Sequence, residues 1–460
     1  MLTPQDAVER ALSLSTADEC IAIAGVSHSA NVRWANNTLT TNGVVHSADL
    51  TVISIVRDGD TVRTASLSRT GVSEAEIADL VAASAAAAAE SPAAADASPL
   101  VQRPAAAEWD AGPGATSVPE LGRLAEQLSA AFEQARSRDE GRYGYAEHSV
   151  STTYVGSTTG LRLRNQQGDG RLELTGRSAD GSRSAWAGVG SADISGLDVG
   201  RLEHDVQQRL DWSRRRVDLD AGRYATILPP SAVADLMIDA YWSMGALDAH
   251  EGSTVYSKAG GGTRVGESLT DLPLTLSSDP SMPGQACMPF VAAAASSRLS
   301  SVFDNGLELS PTSWISDGRL NALLQTRHSA RVTGLKVTPW IDNLALEAPT
   351  THDDVDAIVA QTERGLLLTC MWYIREVDPQ TLLLTGLTRD GVFLVEGGEV
   401  VGAANNFRFN ESPIGMLRRI TAVSAAQDTF AREFGDYFTR TRMPALRIDD
   451  FNMSSVSQAS

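Results

Sequence analysis

The feature that most constrains the fold is a series of short apolar runs, rich in β-branched residues, in the second half of the chain. Turn-forming dipeptides separate several of these runs: Asn305-Gly306, Asp317-Gly318, Asp390-Gly391 and Gly397-Gly398. Such dipeptides join antiparallel strands, because their residues accept the positive φ of a tight hairpin turn. The pattern predicts an antiparallel sheet or barrel-like sandwich, with strands at Val302–Leu307, Thr312–Ser316, Gly318–Thr326, Asn343–Glu347, Thr381–Leu387, Gly391–Glu396 and Glu399–Val401.

The first half mixes longer strand patterns with helices. Ser73 precedes Glu76 by three residues, which is a capping box and predicts the start of an alanine-rich helix that ends near Glu90. Further helices are predicted from about Pro119 to Arg136 and from Val199 to Arg215. The predicted strands of this half are Glu19–Val26, Val32–Leu39, Leu50–Arg57, Arg142–Tyr154, Leu161–Gln166 and Arg171–Arg177.

Together these patterns predict an α+β fold, since strands and helices are grouped and do not alternate strictly. A mixed α/β N-terminal region would be followed by a mainly antiparallel β domain with a few helices, at about Ser231–Gly245, Asp353–Arg364 and Pro413–Ile420. The predicted divisions are an α/β domain at 1–90, a Pro/Ala-rich linker at 91–117, a central α/β segment at 118–217, a β-rich domain at 218–450 and a flexible tail at 451–460.

Composition and charge exclude several classes of protein. The 460 residues are 42% hydrophobic and 21% charged, which is typical of a globular protein and not of a disordered one. The net charge of −19 argues against a nucleic-acid-binding surface, which needs clustered lysine and arginine. The main basic run, Arg214-Arg215-Arg216, is interpreted as a helix C-terminus.

Localisation is inferred from apolar segments and cysteines. No segment approaches the roughly 18 uninterrupted apolar residues that suggest a membrane span, and no charged leader precedes an apolar core. Cys20, Cys287 and Cys370 lie far apart, without the paired spacing of a zinc or redox motif, and so suit a reducing compartment. We predict a cytoplasmic protein with neither a nucleic-acid nor a membrane partner.

One dipeptide, His250-Glu251, begins a zinc-protease signature that the following residues do not complete. A zinc-binding helix needs a second imidazole about one turn further on, whereas Thr254 and Val255 occupy the two usual positions. None of the other histidines lies within five residues of another histidine. His250 and Glu251 are therefore the only metal-ligand and general-base candidates that this stretch offers, and a polar loop is the favoured interpretation.

Two other motifs are interpreted structurally. Gly260-Gly261-Gly262 lacks the lysine and the strand-to-helix context of a phosphate-binding loop, so a surface loop is predicted. His352-Asp353-Asp354 is interpreted as a helix start, because acidic residues favour that end, with a metal site as the alternative.

Several segments, taken in order, resemble the TldD/PmbA family of metallopeptidase-related proteins. The resemblance begins at Arg33-Trp34-Ala35-Asn36-Asn37 with Gly43, and it is densest between Asn343 and Val423. The matching segments there are Asn343–Glu347, Arg364–Thr369, Val377-Asp378-Pro379 with Thr381, Gly391–Glu396 with Gly398-Glu399, and Met416–Ile420. Because both ends match in the right order, the resemblance spans essentially the whole chain.

The resemblance implies a heterodimeric peptidase built from a zinc-bearing TldD-type subunit and a PmbA/TldE-type partner. The TldD-type subunit carries a His-Glu-x-x-x-His helix, whose position corresponds here to Ser231–Gly245. That segment contains no histidine, cysteine or glutamate, and its carboxylates are Asp235 and Asp239. The chain therefore resembles the PmbA/TldE-type subunit: no catalytic or metal residues and no cofactor are expected in it, and zinc is expected in the partner.

Three functions follow from this resemblance. The first is a non-catalytic subunit of a cytosolic bacterial complex that degrades or processes unfolded or leader peptides. The second is a metallopeptidase with a non-standard metal site around His250 and Glu251. The third is a peptide-binding scaffold protein without proteolytic activity.

Overall fold

The structure, a computed structural model, describes residues 2–457 and begins with a six-stranded antiparallel sheet in the order β3-β2-β1-β4-β5-β6. β1 and β4 pair along 14 consecutive residues, from Ile21 opposite Ser157 to Trp34 opposite Gly144. The segments 1–90 and 118–217, which were predicted from the sequence as separate units, thus share one continuous sheet. Its strands are β1 (Glu19–Ala35), β2 (Thr38–Asp58), β3 (Thr61–Thr70), β4 (Glu140–Ser157), β5 (Arg162–Ser178) and β6 (Ser184–Ser191).

Four helices cover one face of this first sheet. Ala22 and Ala24 of β1 lie in the apolar cluster with the first two helices, and Ala30 and Val32 lie in the cluster with the other two. These even-numbered positions share a face, because side chains alternate along a strand. The helices are α1 (Pro4–Leu14), α2 (Glu74–Glu90), α3 (Gly122–Ser137) and α4 (Val199–Trp212). The predicted capping box of Ser73 and Glu76 is confirmed at the start of α2.

The segment 91–117, predicted to be a linker, contains little regular structure but packs against the first sheet. Leu100 is 7% exposed, and the Ala106 amide donates to the Arg162 carbonyl over 2.8 Å. The Tyr154 hydroxyl donates to the Ala111 carbonyl over 2.6 Å. Such buried and hydrogen-bonded backbone attaches the segment to the sheet, so it does not behave as a free tether.

The second half of the chain contains two further sheets. The second sheet has the order β11-β10-β9-β12-β21-β20, and the third has the path β14-β15-β18-β22-β8-β13-β16-β17-β7, with β19 also paired to β22. Three strand pairs, β12–β21, β8–β13 and β7–β17, are parallel, and the other pairs in these sheets are antiparallel. The strands are β7 (Arg216–Val217), β8 (Gly222–Leu228), β9 (Thr275–Ser278), β10 (Thr312–Ser316), β11 (Arg319–Leu320), β12 (Leu344–Glu347), β13 (Arg364–Leu368), β14 (Met371–Asp378), β15 (Leu383–Thr388), β16 (Val392–Glu396), β17 (Glu399–Ala404), β18 (Phe407–Glu411), β19 (Ile420–Val423), β20 (Gln427–Thr429), β21 (Thr441–Met443) and β22 (Leu446–Val456).

Short helices connect these strands. They are α5 (Pro230–Trp242), α6 (Ala246–His250), α7 (Arg327–Thr333), α8 (Val355–Ala360) and α9 (Pro413–Met416). Asp354 caps α8 by accepting from the Ala357 amide over 2.8 Å, which confirms the predicted helix start. The α+β class with mainly antiparallel sheets is confirmed, and no helix within residues 2–457 is long and apolar enough to cross a membrane.

Several predicted elements differ from the structure. The strands predicted at Leu161–Gln166 and Arg171–Arg177 form one continuous strand, β5. The strand predicted at Val302–Leu307 is a short 3-10 turn at Val302–Asp304, because the Ser301 side chain accepts from the Phe303 amide and starts a turn. The strand predicted at Gly318–Thr326 is limited to Arg319–Leu320. The helix predicted to reach Arg364 ends at Ala360, since Arg364 already begins β13.

The prediction of a flexible tail from residue 451 is wrong for residues 451–456. These residues form the second half of β22, which pairs with β8 and β18, and Phe451 and Met453 are fully buried. Their apolar side chains alternate with polar ones and so face a core, as in any half-buried strand. Residues 458–460 of the predicted tail lie outside the described residues.

Candidate functional site

Helix α5 occupies the centre of the largest apolar core. Leu236, Met237 and Tyr241 are fully buried together with strand residues of both the second and the third sheet. The Tyr241 hydroxyl accepts from the Ile341 amide and donates to its carbonyl, at 2.9 and 3.0 Å. The sequence predicted this core-facing pattern, and the helix corresponds in position to the metal helix implied by the family resemblance.

Asp235 is the one fully buried carboxylate of α5. Its Oδ1 accepts from the amides of Glu433 and Phe434 at 2.9 and 3.2 Å, and its Oδ2 accepts from the Arg432 amide at 3.2 Å. A carboxylate that takes three amide hydrogen bonds holds the backbone of residues 432–434 in place. Burial raises the pKa of Asp235 to about 7, against the lowering effect of these three amides.

The loop anchored by Asp235 contacts the first sheet through Arg432. The Arg432 guanidinium lies 3.8 Å from the ring centre of Trp372 on β14 and 5.0 Å from that of Trp186 on β6. It is also 3.7 Å from the Glu173 carboxylate, to which the Trp186 indole donates over 3.1 Å. Stacked arginine–tryptophan contacts are favourable when they are partly desolvated. Asp235 therefore supports a contact that joins the two halves of the chain.

Asp239 lies one turn after Asp235 and is only partly buried. Burial and, to a smaller extent, the nearby Glu376 carboxylate raise its pKa to about 6. Within residues 2–457, no hydrogen bond reaches its carboxylate. The two aspartates of α5 are therefore different: Asp235 is fixed by the backbone of another segment, whereas Asp239 is not.

The residues of α5 do not fit a zinc ion. Zinc needs about three protein ligands, commonly imidazole, thiolate or carboxylate, and an open position in a catalytic site. The only such side chains on α5 are Asp235 and Asp239, and the Asp235 oxygens already accept backbone amides. Across residues 2–457, no cluster of three or more His, Cys, Asp or Glu side chains has the arrangement of a metal site. That this chain binds no metal stays a prediction.

His250 and Glu251 do not lie on α5. The chain leaves α5 after Trp242, and His250 is the last residue of the separate five-residue helix α6. Glu251 pairs with Arg298 at 2.5 Å, and Arg298 also pairs with Asp248. Gly252 follows with φ +88°, a conformation that ends the helix. The structure thus places this pair outside α5 and gives Glu251 an ion-pair partner.

The glycine run forms a loop, as the sequence predicts. Gly260, Gly261 and Gly262 all have positive φ, at 89°, 108° and 86°. The Gly262 amide donates to the His250 carbonyl over 3.3 Å. This loop folds back onto the end of α6, and its backbone explains the three glycines without a ligand.

Sequence reasoning missed the role of Asp235. The available signal was a single carboxylate between Ala234 and Leu236 in an otherwise apolar helix face. A charged residue at a core position is rare unless it is paired. Its partners, the amides of residues 432–434, lie about 200 residues later in the chain, so local patterns could not identify them.

A pH-dependent stability follows from the raised pKa of Asp235. Its folded pKa of about 7 exceeds the ordinary 3.8, so between about pH 4 and 7 the folded state binds a proton that the unfolded chain lacks. The proton-linked part of the stability contribution of Asp235 is present below that window and is lost as the pH rises through it, whereas its three amide hydrogen bonds contribute separately. We expect the stability advantage of wild type over Asp235→Asn to fall by up to about 1.4 kcal/mol per pH unit, measured by chemical denaturation at pH 5, 6, 7 and 8. A pH-independent difference would contradict this.

Comparison with known proteins identifies the family. The model of the PmbA/TldA metallopeptidase C-terminal domain matches residues 221–455, slightly more than half of the chain. Among curated protein sequences, none matches the chain significantly.

Solved structures share the fold along nearly the whole chain. TldE from Thermococcus kodakarensis has a TM-score of 0.76 at 16% identity, covering 97% of this chain and 99% of that one. A candidate modulator of DNA gyrase from Bacteroides thetaiotaomicron has a TM-score of 0.77 at 14% identity, covering 99% and 100%. Another from Thermotoga maritima has a TM-score of 0.74 at 14% identity, covering 97% and 99%. These likenesses establish the fold, and the match over residues 221–455 establishes that the chain belongs to the PmbA/TldD family of metallopeptidase-related proteins.

Proposed function

We propose that this chain is the non-catalytic subunit of a TldD/TldE-type metallopeptidase complex. The observation that carries the proposal is the state of α5, where the family resemblance implies a metal helix. Both oxygens of Asp235 hold backbone amides, and the rest of the helix offers only Asp239. Such a helix stabilises a core and supplies no metal-bound water for hydrolysis.

The proposed partner is a zinc-bearing TldD-type subunit in a cytoplasmic heterodimer. The structural likeness to TldE from Thermococcus kodakarensis supports this pairing. The proposed substrates are unfolded or leader peptides, because extended chains expose backbone that can pair with a sheet edge, whereas folded proteins do not. In this arrangement the present chain contributes peptide-binding surface and the partner contributes zinc.

The proposal is tested with the single chain and with a mixture. The purified single chain is expected to contain no stoichiometric zinc by elemental analysis and to leave an unstructured peptide intact. Mixing it with a TldD-type subunit that carries the His-Glu-x-x-x-His helix is expected to give a complex that cleaves the peptide. Stoichiometric zinc in the single chain, or cleavage by it alone, would refute the non-catalytic role.

His250→Ala and Glu251→Ala, introduced one at a time, are expected to leave the cleavage rate of the complex within about threefold of wild type. Removing a metal ligand or a general base would instead lower the rate by orders of magnitude. The Arg298–Glu251 pair is exposed, and exposed pairs contribute little to stability. Peptide cleavage by the reconstituted complex is the measurement, with Ser253→Ala in the neighbouring loop as the control.

The two alternative functions give different results in the same experiments. A metallopeptidase with a site at His250 and Glu251 would lose activity in both variants and would cleave without a partner. A scaffold protein without proteolysis would fail to associate with a zinc subunit and would leave the peptide uncut in every mixture. Only the non-catalytic subunit combines inactivity alone with activity in the complex.

A further inference from the structure

One edge of the first sheet is unpaired over half the length of a long strand. On one side, β3 pairs with β2 only from Asp49 to Asp58. On the other side, β1 pairs with β2 along nearly the whole length of β2. Within residues 2–457, no strand pairs with residues 38–48 of β2 on the side opposite β1. The unpaired residues 38–48 extend over roughly 35 Å, at about 3.4 Å for each residue.

Backbone groups on this edge point away from the sheet. The Ala48 carbonyl accepts from the Gly71 amide over 2.8 Å, so Ala48 directs its backbone towards the β3 side. Backbone direction alternates along a strand, and the even-numbered residues Asn42, Val44 and His46 therefore direct their N–H and C=O groups the same way. These are the groups that an added strand would use for pairing.

From Thr41 to Ala48, the unpaired edge lacks the features by which proteins protect such edges. No lysine, arginine, aspartate, glutamate or proline occurs between Thr38 and Ala48, in a chain whose net charge is −19. Leu39, Val44 and Val45 are exposed by 47%, 41% and 56%. Edge strands are usually protected by charge, proline or bulges. A bulge interrupts only the first residues of this edge, because Arg33 pairs with Thr41 whereas Trp34 pairs with Leu39, so the regular part of the edge runs from Thr41 to Ala48.

A pocket of about 510 Å³ opens beside the same edge. Its walls are mainly apolar and include Pro4 and Ala7 of α1 and Val26 of β1, and one carboxylate, that of Asp49, also lines it. His28 and His46 also line it, with their rings edge to face at 4.1 Å. Ala48 and His46 are even-numbered, so their side chains lie on the helix-covered face from which the pocket opens.

We propose that residues 38–48 of β2 bind an extended, uncharged polypeptide segment as an added antiparallel strand, with an apolar side chain of that segment in the adjacent pocket. Main-chain hydrogen bonds would supply affinity and the pocket would supply selectivity for aliphatic residues. The neutral strip favours an uncharged occupant, because a charged strand would leave its charges against apolar side chains without partners. This assignment rests on the peptide-binding role proposed above and locates that role on the first sheet.

The test uses the full chain and a fluorescein-labelled peptide of alternating valine and threonine with a lysine at each end. Fluorescence anisotropy is expected to show saturable binding to wild type. Val44→Pro removes an outward N–H without touching the β1 ladder and is expected to weaken binding at least about tenfold, or 1.4 kcal/mol. Val44→Thr keeps that N–H and the side-chain shape, and is expected to bind nearly as wild type.

Two further measurements make the result specific. Ala48→Trp fills the pocket without altering the edge backbone and is also expected to weaken binding about tenfold. A matched peptide with the same sequence and charge, methylated on alternate backbone nitrogens, is expected not to bind. Circular dichroism of each variant checks that the first sheet is folded, so that Ala48→Trp decides the question if Val44→Pro does not fold.

Each contrary outcome has one meaning. Equal affinity of wild type, Val44→Pro and Ala48→Trp would overturn the assignment. No peptide binding, together with a dimer by sedimentation that Val44→Pro dissociates, would show that a second copy occupies the edge, and would also overturn it. Peptide cleavage by the mixture with the zinc subunit is measured separately. If the mixture cleaves but no peptide binds at residues 38–48, only the binding assignment is refuted. If peptide binds at residues 38–48 but the mixture does not cleave, only the subunit role is refuted.

Discussion

The Asp235→Ala variant is expected to lose about 3 kcal/mol of its free energy of unfolding. Removal of the Asp235 carboxylate leaves the amides of Arg432, Glu433 and Phe434 without their acceptor. A buried donor left unpaired costs about 1–3 kcal/mol, so three donors at the low end of that range cost about 3 kcal/mol. We take the low end because the variant also loses the cost of desolvating the carboxylate. Chemical denaturation at pH 7, followed by far-UV circular dichroism, measures the change.

Asp239→Ala provides the matched control on the same helix. Its carboxylate is one turn away, is partly exposed, and fixes no other segment, so its removal is expected to change stability by less than about 0.5 kcal/mol. If the two variants were equally stable, the three amide hydrogen bonds of Asp235 would not support the loop. Limited proteolysis around residues 430–438 gives a second readout, because release of Arg432 from Trp186 and Trp372 exposes that loop.

Arg142→Ala is expected to destabilise the first sheet by about 3–5 kcal/mol, because it leaves buried carboxylates without their cation. The Arg142 side chain is fully buried on β4. Its Nε and Nη2 donate to the two oxygens of Glu203 on α4 at 2.8 and 2.7 Å, and the second N–H of Nη2 is shared between the side-chain oxygens of Gln207 at 2.8 Å and Glu140 at 3.2 Å. Removal of the cation thus affects the attachment of α4 to the sheet.

Arg57→Ala is the control for this prediction. Arg57 donates from Nε and Nη2 to Glu19 at 2.9 and 2.5 Å, but its side chain is 36% exposed. Exposed pairs contribute about 0–1 kcal/mol, since water solvates both ions when they separate. The loss of unfolding free energy, measured by thermal and chemical denaturation, should therefore be several-fold larger for Arg142→Ala than for Arg57→Ala. A loss below about 1 kcal/mol for Arg142→Ala would show that water or rearrangement compensates the carboxylates.

Local sequence patterns predicted an element correctly where the residues that fix the element lie close together in the sequence. The capping box at Ser73 and Glu76 fixes the start of α2 within four residues of sequence. The Asp390-Gly391 and Gly397-Gly398 turns bound the strand at Val392–Glu396, because positive φ is required there and few other residues adopt it. The family resemblance and the lack of histidine, cysteine and glutamate on α5 were equally visible in the sequence.

Local patterns failed where a distant contact decided the outcome. Val302–Leu307 has the composition of a strand, yet Ser301 and Asn305 hold the backbone in a turn through their side chains. Residues 451–456 lie near the end of the sequence and are half polar, yet they form a strand because β8 and β18 pair with them on both sides. Strand formation depends on partners, so a strand can be gained or lost without any change in its own sequence.

The sequence by itself determined the α+β class, the family and the unusual composition of α5, because these depend on residue identity and short-range periodicity. Only the tertiary structure decided that Asp235 holds residues 432–434, that Arg142 is buried between two carboxylates, and that residues 38–48 of β2 have no strand beside them. Each of these depends on which segments meet in space. Hydrogen bonding, burial and edge pairing act between segments that can be hundreds of residues apart, and spacing along the chain carries no record of them.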